Sequence, residues 1–458
     1  MSYLLWSLPL LAVALCMASG RVNSMMAGVC GAMLAMMVAL WPAPVAMTAA
    51  GLLLTVGKGL WLAWLVIAVI LAGLFFREVV SADAPKAEAA PAGALEIRRR
   101  VFFACFLIGP FAEAATGFGV GQVTTVAMLQ AMGLPNLHIL LLGLFSQVLV
   151  SWGAMANGTV VGAAFAGLPP RELGIHSALL SAPLLLGWLV LFWRMTALAG
   201  LANTLGNSVR ELVTLAIAVG LLIAANAQFG PEIAGMVALG PIIVVQFWRD
   251  ERPDAARWRA LLQIGLPYAV LIGGLAASRG IPALNDTLRA AVTIRPFANV
   301  LAWFPLLHPG TWLVAVGLVT ALATGRAADL PHALRMTWMR GRNAALTIAI
   351  YLVVAQIMSD AGMAGALAAG LATALGAHAV IATPWLGGAF GFLTASSNAS
   401  NGLLMTSQVN LASSAVPAVW IAALQNSAAA ALTMLSPARV AMGCALVKQK
   451  ELEAAVYR

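Results

Sequence analysis

Glu113 lies in Pro110-Phe-Ala-Glu-Ala-Ala-Thr-Gly-Phe-Gly-Val-Gly-Gln122, an acid set between apolar residues and three alternating glycines. An ionisable side chain inside a membrane segment is costly and marks function by default, and a carboxyl in such a place can load and release a proton. It can also serve as a cap, accepting hydrogen bonds from the exposed amides of a broken helix. Both roles are open at this point. Gly117, Gly119 and Gly121 alternate with Phe118 and Val120. Glycine permits positive φ and close approach of backbone, so a tight tip followed by a helix from Gln122 would aim free N–H groups and a positive dipole end at an anion. Glycines that only let helices approach each other in lipid would give the same pattern. The stretch is not a nucleotide loop, because no strand precedes it and no Gly-Lys-Ser/Thr follows.

A second polar knot, Phe392-Leu-Thr-Ala-Ser-Ser-Asn-Ala-Ser-Asn-Gly-Leu403, follows Pro384, Gly387, Gly388 and Gly391. Ser and Asn at this density oppose a regular membrane helix. Their hydroxyl and amide groups suit a carboxylate, a hydroxyl or a sodium ion, or a buried network between helices. The candidate substrate-binding residues are therefore Gly117, Gly119, Gly121 and Gln122 from the first knot, with Thr394, Ser396, Ser397, Asn398, Ser400 and Asn401 from the second. Asp360, in Met358-Ser-Asp-Ala-Gly362, is a second acid in apolar surroundings, and Glu113 and Asp360 are the candidates for proton or ion coupling. Lys58 is the main candidate counter-charge for a substrate, unless its long stem simply snorkels. Ser436-Pro437 reads as a later break or helix end.

The elements that position these residues are set by composition. Of 458 residues, 62% are hydrophobic and only 9% charged, against about 25% charged in a soluble domain. Lipid is the solvent for most of such a chain. At about 20 apolar residues per span, roughly ten to thirteen membrane helices fit. The expected fold is an all-α polytopic membrane protein in which residues 1–458 form one transport domain. A polar loop is expected at 77–100, a first broken hairpin at 101–134 and a second at 384–412. The resemblance in type between the two knots suggests an inverted repeat, and paired interrupted segments point to a transporter's binding site. Residues 139–166 read as an apolar run punctuated by Gln147, Ser151, Asn157 and Thr159. The net charge of +9 does not argue for nucleic acid, since the arginines sit in short breaks such as Arg98-Arg99-Arg100 and Arg249 to Arg259, as cytoplasmic loops require. Cys16, Cys30, Cys105 and Cys444 form no Cys-x-x-Cys pair and imply neither disulfide nor zinc. The first twenty residues lack a basic leader and are expected to stay as a first helix.

Phe111-Ala-Glu-Ala-Ala-Thr-Gly-Phe-Gly119 is similar to the Phe-Leu-Glu-Gly-Ala-Ala-Gly-Phe-Gly motif of the lactate permease family, and Phe392-Leu-Thr-Ala-Ser-Ser-Asn-Ala-Ser-Asn401 to that family's Phe-Leu-Thr-Gly-Ser-Asp-Thr-Ser-Ser-Asn. Asn426 and Ser436-Pro437 resemble a family Asn-Ser and Ser-Pro pair. The resemblance implies a proton-coupled symporter of lactate, glycolate and related 2-hydroxy monocarboxylates, without a cofactor, in the bacterial cytoplasmic membrane. It also implies two re-entrant hairpins, a homodimer and elevator-like movement, and it places Glu113, Gly117, Gly119, Ser396, Ser400 and Asn401 on motif positions. Two departures stand out. Ser397 occupies the motif's aspartate position, and Gly121-Gln122 replaces Thr/Ala-Pro. One acidic carrier is thereby missing, so coupling falls to Glu113 or Asp360, or to sodium.

Overall fold

Glycine and proline interrupt the apolar runs, and the interruptions turn rods into hairpins and bent spans. The computed structural model describes residues 2–80, 93–298 and 300–458. These are helical almost throughout; among them the only strand-like pairing is one bridge between Ile294 and Trp303. Eight helices are long and apolar enough to cross a membrane, or nine if a bent pair counts as one span. Three shorter apolar helices, Ser2–Ala18, Ser24–Leu40 and Pro309–Ala323, accompany them. The outermost helices show lipid-facing character. In Ala255–Gly280 only 11% of the most apolar window is buried, and Leu262 and Leu266 point outward.

The order hairpin, then broken helix, occurs twice. Hairpin one runs Ala94–Phe103, through one π-helical turn at Ala104–Ile108, into Gly109–Thr116; it turns at Gly117–Gly119 and returns as Val120–Ala131. Hairpin two runs Ala382–Thr394, turns at Ala395 and Ser396, and returns as Ser397–Val409. After hairpin one comes Asn136–Gln147 and then Val150–Ala166, bent by 54°. After hairpin two comes Ala418–Thr433 and then Pro437–Leu446. The run expected to be continuous over 139–166 is thus two pieces. Its second piece begins with one left-handed turn at Ala154, Met155 and Ala156, packed against Gly117, where any Cβ would collide with Ala154.

Glycine stripes seat hairpin two. The first arm lies flat on Ala418–Thr433, so close that a Cβ on Gly391 would stand 2.9 Å from the Ala429 carbonyl carbon and Cα. Small residues permit such approach in a membrane, where packing rather than the hydrophobic effect draws helices together. The long helix Ala49–Val80 packs along Leu330–Asp360, with Gly59 facing Val353. This pair is fastened by Lys58, which reaches Asp360 at 2.8 Å.

The polar stretch expected at 77–100 is narrower than that. Arg77 to Val80 completes one helix and Ala94 opens the next; residues 81–92 lie outside the described part. Arg98 is not a loop cation. It is fully buried and donates to Glu211 at 3.1 Å and to Thr196 at 2.6 Å, joining hairpin one to the helices Pro170–Leu198 and Leu205–Phe229. Trp61 sits inside the helix Ala49–Val80 and donates to the Leu301 carbonyl at 2.9 Å.

Gly391→Ala should lower thermal stability in detergent by about 1–3 kcal/mol through overpacking. Gly187→Ala, where a Cβ meets nothing within 4 Å, should be neutral or stabilising. Equal melting temperatures for the two variants would contradict the close seating of hairpin two.

Candidate functional site

The four breaks meet at one cavity of about 450 Å³. Hairpin one contributes Glu113, Gly117 and Phe118, and its following bent span contributes Val150, Gly153, Ala154 and Gly158. Hairpin two contributes Thr394 through Asn398, and the final break contributes Thr433, Ala438, Arg439 and Met442. The remaining wall comes from the long helix Leu330–Asp360, through Asn343, Ala344, Thr347 and Ile348, and from Asn23 to Met25. Phe118, Ala154 and Ala395 are non-glycine residues with positive φ, and all three line the cavity. L-residues enter the left-handed region at a cost of about 1–2 kcal/mol each. Strain of this kind persists where surrounding structure enforces it, and it clusters at ligand sites.

Each tip solves the same problem differently. A helix start leaves its first N–H groups without partners. In hairpin one these are met from within: Gly119 N–H donates to Glu113 Oε1 at 3.2 Å, and Gly121 N–H to Oε2 at 3.1 Å. Glu113 is therefore the cap that sequence allowed for. It still lines the cavity, with 4% of its side chain exposed. In hairpin two, Ser396 caps Ala399 N–H at 3.3 Å, and among the described residues no carboxylate accepts from the first amides of that helix. Ser397 is buried and borders the cavity, and its hydroxyl makes no hydrogen bond among the described residues.

Arg439 supplies the positive charge, and sequence reasoning passed over it. It stands in the first turn after Ser436, whose hydroxyl accepts from its amide. Its guanidinium Nη2 donates to Glu113 Oε1 at 3.4 Å. The available signal was the Ser436-Pro437 break itself, two residues ahead of a lone arginine in apolar sequence. Lys58 and Asp360 lie elsewhere. They form a closed cluster in which Thr55 donates to Asp360 at 3.0 Å and Gln356 at 2.8 Å, and neither charged residue lines the cavity.

The expected substrate-binding residues thus divide. Gly117, Thr394, Ser396, Ser397 and Asn398 line the cavity. Gly119 and Gly121 have their amides engaged by Glu113. Gln122, Ser400 and Asn401 hold elements together behind the wall: Gln122 donates to the Arg439 carbonyl at 3.1 Å and Ser400 to the Gly387 carbonyl at 2.9 Å. Asn401 donates to the Gly158 carbonyl at 2.9 Å and to Asn426 Oδ1 at 2.8 Å, and Asn426 in turn donates to Thr159 and Ser177. The second arm of each hairpin is thereby tied by a side-chain amide to backbone in the broken helix of the opposite half.

The chain matches the L-lactate permease family over residues 2–256 and 277–458, which takes in both hairpins, the bent span, the break at Ser436 and the cavity. It belongs to the L-lactate permease family. Comparison with curated proteins finds no match. The permease is a multi-pass membrane protein of a transporter family, and its one cavity walled by all four breaks coincides with both motifs that carried the resemblance.

Asn401→Ala should leave the Gly158 carbonyl and Asn426 Oδ1 without that donor in a dry interior. The expected loss is about 1–3 kcal/mol of stability for each orphaned group. Ser397→Ala, at a hydroxyl that borders the cavity and has no partner among the described residues, should leave stability unchanged. Thermal unfolding of the two variants in detergent separates them; a fully stable Asn401→Ala would remove the anchoring role.

Proposed function

We propose that the permease is a secondary active symporter that carries a small 2-hydroxy monocarboxylate, lactate or glycolate, together with a proton across the bacterial cytoplasmic membrane. The observation that carries this reading is the convergence of four helix breaks on a cavity holding one acid and one permanent cation. A carboxylate fits the start of Ser397–Val409, where unengaged amides and the Ser397 hydroxyl offer donors beside a positive dipole end. The Arg439 guanidinium borders the same space. The substrate's hydroxyl has Asn398, Thr347 and Asn343 as polar neighbours in the wall.

Charge accounts for the proton. Glu113 and Arg439 cancel, so the empty cavity is neutral and a bound carboxylate alone makes it −1. Moving one elementary charge across a membrane potential costs about 2.3 kcal/mol per 100 mV. A proton taken with the anion removes that cost. Glu113 is the acid placed to hold it, since Asp360 is fastened to Lys58 away from the cavity.

Proteoliposomes loaded with the purified permease should accumulate labelled L-lactate or glycolate when the inside is made alkaline. The rate should be insensitive to a potassium-diffusion potential, and a sodium gradient alone should drive nothing. Uptake driven by sodium and indifferent to pH would transfer the reading to sodium coupling. Failure to accumulate any small monocarboxylate under either gradient would end it.

A further inference from the structure

The two hairpins are alike in path and unlike in charge. Glu113 stands three residues before Thr116, the last residue of its arm, and Gly391 stands three residues before Thr394, the last residue of the matching arm. Hairpin one therefore carries its own anion at the tip and hairpin two carries none. The single cation between them is loosely held. A guanidinium has five N–H donors. From Arg439 one of them reaches Glu113, at 3.4 Å, and the guanidinium makes no other hydrogen bond among the described residues. Charge-assisted N–H···O bonds usually run about 2.7–2.9 Å, and carboxylates prefer the two-pronged face of arginine. The cavity side of Arg439, 14% exposed, keeps that face free.

We propose that Arg439 is the anion-binding cation of the permease and that Glu113 and the transported carboxylate compete for it, so that binding the anion loads the proton. This rests on the transport reading above. The incoming carboxylate takes the guanidinium by two parallel hydrogen bonds, and Nη2 leaves Glu113 Oε1. Two carboxylates against one guanidinium leave a net negative charge in a buried space, where a like charge disfavours ionisation. Glu113 then takes a proton from a hydronium ion of the surrounding water: one O–H bond of the donor breaks as one forms at Oε1, a water molecule is left, and no bond to carbon changes. The site is neutral before the step, with Glu113 ionised and Arg439 cationic, and neutral after it, with Glu113 protonated and the anion paired to Arg439. The Gly119 and Gly121 amides hold Glu113 in place throughout. No other charged group enters the balance. Among the cavity-lining residues Glu113 and Arg439 alone are charged. Gly153 approaches Glu113 itself, and Gly235 and Gly73 approach its neighbours Ala114 and Thr116; the ionisable groups that other elements bring to this hairpin, Glu211 on Arg98, Glu251 on Arg100 and Tyr268 on Phe111, lie off the cavity wall.

Calorimetric titration of the detergent-solubilised full chain with L-lactate and glycolate, repeated in two buffers of different ionisation enthalpy, counts the protons. Close to one proton should be taken up per anion bound near neutral pH, and the apparent affinity should fall about tenfold per unit rise in pH, as one linked proton requires. Glu113→Gln keeps an acceptor for a tip amide and should bind the anion with no proton uptake and a flat pH profile. Arg439→Lys should bind more weakly by about tenfold or more while keeping the pH slope, and Arg439→Gln should lose binding. The wild-type proton count does not depend on how any variant folds. Binding without proton uptake by the wild type would overturn this inference while leaving monocarboxylate transport standing. So would a steep pH profile in a folded Glu113→Gln, or wild-type affinity in Arg439→Gln. Absence of any monocarboxylate binding would overturn both.

Discussion

The Glu113 carboxylate holding the Gly119 and Gly121 amides is the contact on which the site depends. A helix cannot be cut inside a bilayer unless the exposed N–H groups find partners, since hydrocarbon offers none. Hairpin one solves this with an acid from its own first arm, and the solution puts a carboxylate on the cavity wall. The second hairpin uses a hydroxyl instead: Ser396 accepts from the Ala399 amide, while Thr394 donates to the Phe390 carbonyl of its own arm. A requirement of backbone chemistry has thus placed an ionisable group on the wall of the cavity. Capping and coupling, which looked like rival roles for Glu113, are compatible at a single carboxylate with two oxygens.

Around that contact the molecule separates what must hold from what must touch. Asn401, Asn426, Thr159 and Ser177 form a buried chain of amides and hydroxyls that fixes hairpin two to the first half's bent span. Gln122 performs the reciprocal task for hairpin one at the backbone of Arg439. Lys58 and Asp360 clamp the two long helices. In all three places a polar group lies in apolar surroundings because a partner is within reach, the general condition for burying such groups.

What was legible in the sequence follows from this separation. The breaks at Gly117–Gly119 and at Ala395 and Ser396 showed themselves, because glycine and hydroxyl residues contrast with lipid-soluble neighbours. The break before Gly153–Ala166 did not: Ala154, Met155 and Ala156 are good helix formers, and their left-handed turn is imposed by contact with Gly117, far away in sequence. The polar knots announced a site but not which of their residues face it. Ser397 and Asn401 are equally plausible ligands on paper, yet the helix turns one toward the cavity and the other toward Gly158. Lys58, deep in an apolar run, reads in the sequence either as a counter-charge or as a snorkelling lysine. Its partner Asp360 lies 302 residues further on, and no local pattern reports such a pairing. Arg439 was overlooked for the converse reason, as an arginine after Ser-Pro resembles a helix-end residue facing water.

One wall of the cavity is different in kind from the rest. Asn343, Ala344, Thr347 and Ile348 project from consecutive turns of an uninterrupted rod, and the backbone behind them obeys ordinary helical rules. Exchanging a side chain there disturbs no cap, no left-handed residue and no glycine seat. Evolution can therefore resize the chamber for longer, branched or differently hydroxylated acids along this face while the charge-handling half stays untouched.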